Sequence, residues 1–67
     1  MNNATKLAND IINDAESELG MIPFAVRMEM IETYSNAIKN VHKGGIFLAH
    51  IYDETTKKDF NKGYVVA

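Results

Sequence analysis

The sequence predicts an α+β fold in which two antiparallel helices are followed by a C-terminal β-hairpin. Three observations carry that prediction. Apolar residues recur at helical spacing from Ala4 to Leu19, a second helical stretch is entered through Gly20 and Pro23, and a β-branched and aromatic run from Ile46 to Tyr52 leads into a polar turn.

Ala4, Leu7, Ala8, Ile11, Ile12, Ala15 and Leu19 follow the i, i+3, i+4 rule, which predicts an amphipathic helix over residues 3–19 with Asn2 or Asn3 as its cap. Gly20 supplies the left-handed geometry that closes a helix, Met21 and Ile22 fold back as apolar clasps, and Pro23 suits the first turn of the next helix. So short a connection implies antiparallel helices.

The second helix is expected from Pro23 to Lys43, stopped by Gly44 and Gly45, with Lys39, His42 and Lys43 near its negative dipole end. Phe24, Val26, Met28, Met30, Ile31, Tyr34, Ala37, Ile38 and Val41 spread over an arc of roughly 200°, twice the roughly 100° that one buried face needs. One short partner helix leaves part of that arc uncovered, so this helix is expected to meet a second surface.

In Ile46 to Tyr52, β-branched and aromatic residues favour a strand, although Phe47, Leu48, Ile51 and Tyr52 also fit a helical stripe; an all-α three-helix bundle is therefore the alternative fold. The segment Tyr52, Asp53, Glu54, Thr55, Thr56, Lys57, Lys58 resembles the hairpin loop of the immunoglobulin-binding domain of protein G, in which a Tyr-Asp start leads through Thr-Lys back into a strand. The resemblance implies a local reversal, and Asp and Thr side chains favour one by bonding nearby backbone donors. The returning strand is expected over Lys58 to Val66, with Gly63 in a bulge or a left-handed kink. Because a lone two-stranded ribbon is marginal in water, the hairpin has to pack on the helices or join a partner's sheet.

A chain of 67 residues, 46% hydrophobic and 24% charged, is expected to form one small globular domain without space for a large substrate cleft. A core of this size gives only about 3–5 kcal/mol of net stability. No cysteine is present for a disulfide, and two histidines are too few for a usual structural zinc cluster, so homo-oligomerisation is the expected reinforcement. The start of the chain is unlike a leader peptide and no apolar stretch approaches a membrane span, which predicts a cytoplasmic protein without a membrane partner.

The net charge of −2 argues against generic binding to a phosphate backbone. It is divided unevenly: residues 1–36 hold two cations against six carboxylates, a net of −4, and residues 37–67 hold five lysines against three carboxylates, a net of +2. Asp10, Asp14 and Glu18 stand at successive i+4 positions along one edge of the first helix, and Glu16 and Glu18 lie near the helix end that disfavours negative charge. A solvated acidic face explains this economically; an electrostatic docking strip explains it functionally, because charge beside apolar surface sets orientation and association rate.

On the second helix, Met28, Met30, Tyr34 and Ala37 are the expected apolar contact residues, methionine being adaptable to varied partner surfaces, while core packing is the plainer account of the same side chains. Lys39, Lys43, Lys57, Lys58 and Lys62 form a candidate phosphate or nucleic-acid contact if the hairpin folds over the end of that helix; helix-end complementarity and protected strand edges explain them equally. Gly44 and Gly45 match no phosphate-loop pattern, and His42 and His50 have neither a second metal ligand at helical spacing nor an adjacent nucleophile.

The expected function is that of a small non-catalytic interaction or inhibitor protein with no cofactor. It would bind another, larger macromolecule through the acidic first helix and the apolar face of the second. The alternatives are a nucleic-acid-binding regulator and an oligomeric binder of small phosphorylated ligands, such as nucleotides, at subunit interfaces.

Overall fold

The computed structural model describes residues 3–67. Helix α1 spans Asn3–Leu19 and helix α2 spans Phe24–Lys39; strands β1, Ile46–Asp53, and β2, Lys58–Val65, form an antiparallel two-stranded sheet. The chain is therefore two packed helices followed by a β-hairpin, as its periodicities predict, and the three-helix alternative is excluded by the ladder that runs from Ile46 opposite Val65 to Asp53 opposite Lys58.

Helix α1 is the middle layer. Its stripe residues Ala8, Ile11, Ile12 and Ala15 are completely buried, with α2 on one flank and the hairpin, chiefly β2, on the other. The two alanines let backbones approach closely, and the bulk of the core comes from Ile11, Ile12, Ile38 and Phe60. From the hairpin, Ala49, Phe60 and Val66 join this core, with Phe47, Ile51 and Tyr64 packed against its margin. The same parity sends Ile46, Leu48, His50 and Tyr52 to the opposite face of the sheet.

At the α1–α2 connection, the N–H of Gly20 donates to the Glu16 carbonyl at 2.9 Å, with φ at +95°. A side chain bearing Cβ pays for that left-handed conformation, and glycine does not. Pro23 is the residue that caps α2 rather than its first helical residue, and its carbonyl accepts the Arg27 N–H at 2.8 Å. Asn3 is already helical and so is not the cap of α1; Asn2, the other expected cap, lies outside the described residues.

Helix α2 ends at Lys39, four residues before the expected Lys43. The Asn40 and Val41 amides turn back to the carbonyls of Ala37 and Ile38, tightening the last turn to i→i−3 bonds. Beyond it, Gly44 adopts φ +87° and donates to the Val66 carbonyl at 2.6 Å, while the Val66 N–H donates to Gly45 at 2.9 Å. Sheet bonding thus claims backbone groups that would otherwise extend the helix, leaving His42 and Lys43 outside it.

The hairpin turn is closed by Asp53, whose carboxylate accepts the Thr55 N–H at 2.9 Å and the Thr56 N–H at 3.4 Å, with Lys57 left-handed at φ 59°. These backbone bonds hold the Asp53 carboxyl below its ordinary pKa. Gly63 occupies no bulge and has no positive φ; it pairs regularly with Leu48.

Candidate functional site

The uncovered part of α2 is its first half and the turn before it. Met21 is 91% exposed, Phe24 76% and Met28 50%, with Val26 also open. The apolar arc of α2 is too wide for α1 to cover, and the hairpin reaches only its second half, where Tyr34 meets Phe47 edge-on with ring centroids 5.6 Å apart. Of the four apolar contact residues expected here, Met28 is exposed, whereas Met30, Tyr34 and Ala37 are half-buried and partly committed to the fold. Burial raises the Tyr34 pKa.

Beside this strip lies an open groove of about 450 Å³ between the α1–α2 turn and the hairpin turn. Leu19, Ile22, Val26, Met30, Ile51 and Tyr52 give it apolar walls, and Asp53 to Thr56 form a polar rim. Methionine-rich walls conform to different apolar side chains at little cost. The sequence offers Phe24, with Met21 and Met28, as part of a soft aromatic face that serves either core or recognition, whereas Val26 is signalled only by the breadth of the α2 arc.

Asp10, Asp14 and Glu18 lie on the flank of α1 that meets β2. Asp14 accepts a 2.7 Å hydrogen bond from the Tyr64 hydroxyl and lies 3.4 Å from Lys62 Nζ. Its carboxyl is held below the ordinary carboxylate pKa, mainly by the Tyr64 hydroxyl, against the opposing effect of desolvation and with further help from Lys62. The Tyr64 hydroxyl is pushed well above its ordinary value, first by burial, then by its bond to Asp14 and the negative charges of Asp14, Glu18 and Asp10. One member of the acidic strip therefore fastens β2 to α1, while Asp10 and Glu18 remain exposed.

The α2 flank of α1 carries a separate polar clasp. Arg27 forms an ion pair with Glu16 and donates to Asn13, and the second oxygen of Glu16 accepts the Ile22 N–H at 3.2 Å. This accounts for a carboxylate near the unfavourable end of a helix: Glu16 staples the helical hairpin. The acidic strip and the open α2 surface stand on opposite flanks of α1, so they do not form one adjoining patch.

The five candidate lysines are likewise separated. Lys39 and Lys43 line an open groove of about 380 Å³ with Lys6, Asp10, Leu7 and Val66, where the start of α1 meets the end of α2. Lys57 belongs to the hairpin turn, whose neighbours are the α1–α2 turn at the other end of the molecule, and Lys58 pairs with Asp53 at the adjoining end of the ladder. Lys62 is engaged with Asp14 and stands 5.4 Å from the Tyr64 ring centroid. The hairpin thus runs back along α1 instead of folding over the end of α2, and no single basic patch unites the five.

Among the described residues, no group of three or more His, Asp or Glu side chains is arranged to hold a metal ion. None of their helices is long and apolar enough to cross a membrane. No protein-family model, curated protein or solved structure matches the chain.

Proposed function

We propose that the chain is a small non-catalytic protein-binding domain, of the inhibitor or tether kind, that covers part of a larger protein with the open surface of α2. The observation that carries this reading is the exposure of Met21, Phe24, Val26 and Met28 in the first half of α2 and the turn before it, with Met21 and Val26 lining an apolar groove. Large aromatic and methionine side chains left in water are common anchors of protein interfaces. The exposed Asp10 and Glu18 act at longer range from the other flank of α1, favouring a basic partner during approach.

The test is affinity capture from the source cells with three baits: wild type, Phe24→Ser with Met28→Ser, and Asp10→Asn with Glu18→Gln. The serine bait is expected to lose the captured protein at unchanged melting temperature. The amide bait is expected to retain it with slower association and a weaker dependence on salt. Equal capture by wild type and the folded serine bait refutes the reading.

A second reading, binding of a nucleotide, a nucleic acid or another phosphorylated ligand, is supported by the convergence of Lys6, Lys39 and Lys43 around one groove. A nucleotide that raises the melting temperature of wild type but not of Lys39→Ala with Lys43→Ala would favour it over protein binding.

A further inference from the structure

The outer face of the hairpin is a second uncovered surface, distinct from α2. Along β1 it presents Ile46, Leu48, His50 and Tyr52, and along β2 Asp59, Asn61, Gly63 and Val65, all of them exposed. Ile46 is 57% exposed, Leu48 72%, Tyr52 53% and Val65 64%. Gly63 helps to make the apolar end continuous: a Cβ there would stand 3.3 Å from methyl carbons of both Ile46 and Leu48, so those two side chains lie across the space that another residue would fill. Strand β1 is thus apolar on both faces, a pattern of strands covered on both sides, yet this chain covers only one.

We propose that a second copy of this chain covers the outer face, with the same face of each protomer packed on the other about a two-fold axis. Apolar exposure and charge argue for this occupant. The four apolar residues are each more than half exposed, Ile46 standing opposite Val65 with Leu48 beside them, an apolar patch of the kind that marks an interface.

The face is also free of the repulsion that two copies of an acidic protein meet elsewhere. Apart from the Tyr52 phenol its ionisable groups are His50 and Asp59, which lie 2.8 Å apart. Lys58 and Lys62 share the parity of Phe60 and belong to the inner side of the sheet, so no lysine of the strands guards the outer one. By contrast, the flank of α1 that meets β2 carries the exposed Asp10 and Glu18, and α2 carries Glu29 and Glu32, so two copies meeting there would bring like charges together. A self-complementary contact needs a patch that tolerates its own image, and the hairpin face combines that neutrality with its exposed apolar residues.

Sedimentation equilibrium of the full chain over a concentration series tests the proposal. Wild type is expected at twice the 7.5 kDa chain mass, and Leu48→Lys with Val65→Lys at the single mass with its circular dichroism retained. Leu48→Ala with Val65→Ala, which keeps the chain uncharged at these positions should the lysine variant fail to fold, is expected to raise the dimer dissociation constant by about tenfold or more. Met28→Glu, on the surface assigned to heterologous binding, is expected to leave the dimer intact, so the two surfaces succeed or fail separately. A monomeric wild type at high micromolar concentration overturns the proposal, as does a dimer that the alanine pair leaves unchanged or that Met28→Glu alone dissociates.

Discussion

Ser35 is buried in the middle of α2, and its hydroxyl has no hydrogen-bond partner. A hydroxyl removed from water without a new bond is destabilising, so Ser35→Ala is expected to raise stability by about 1 kcal/mol, seen as a higher urea midpoint at unchanged slope. A lower midpoint would show that the hydroxyl makes a needed contact. The Asp14–Tyr64 bond acts in the other direction and depends on pH. The Asp14 pKa is lowered in the fold, so its contribution is present above 3.8 and is lost as pH falls through the folded value. The Tyr64 pKa is raised, so its contribution is complete below 10.0 and is lost as pH rises from there. Tyr64→Phe should therefore flatten both limbs of the stability profile, leaving a residual alkaline loss from the half-buried Tyr34 and a residual acid loss from Asp53. Profiles of equal slope in the two proteins would contradict this assignment.

At the level of elements, α1 was legible almost to the residue because its apolar stripe has one period and one purpose. The limits of α2 were not: its apolar pattern continues through Val41, but the tie between Gly44 and Val66 is a contact across 22 residues that no local periodicity reveals. The hairpin turn was readable from Asp53 and its threonines, whereas the expected kink at Gly63 failed because that glycine makes room for Ile46 and Leu48 rather than bending the strand. Gly20, like Gly44, is a position where the backbone requires glycine. No atom outside its immediate chain neighbours lies within 4 Å of a Cβ built there, so Gly20→Ala isolates the strain of φ +95° and is expected to cost about 1 kcal/mol in thermal denaturation. An unchanged melting temperature would mean that the turn relaxes to another conformation.

Across the whole molecule, the placing of α1 between α2 and the hairpin determines which surfaces are left for other molecules. Sequence charge suggested that acidic and apolar contacts adjoin, but a strip's neighbours are set by which flank each later element takes. Arg27 draws α2 to Glu16, and Tyr64 draws β2 to Asp14. The breadth of the α2 arc was visible in advance; the outer face of the hairpin was not, because deciding which of two apolar faces of β1 is covered requires the third dimension. What remains open is greasy surface at the α1–α2 turn and the first half of α2, together with the hairpin's outer face.

The most direct measurement of this account is methyl-resolved solvent paramagnetic relaxation on the free protein, using a soluble neutral probe. Met21 and Met28 methyls are expected to relax strongly at every protein concentration, while Ile11 and Ile38 stay protected. Met28 methyls as sheltered as those of Ile38 in a dilute, monomeric sample would contradict the account, because α2 would then have no apolar surface left with which to bind.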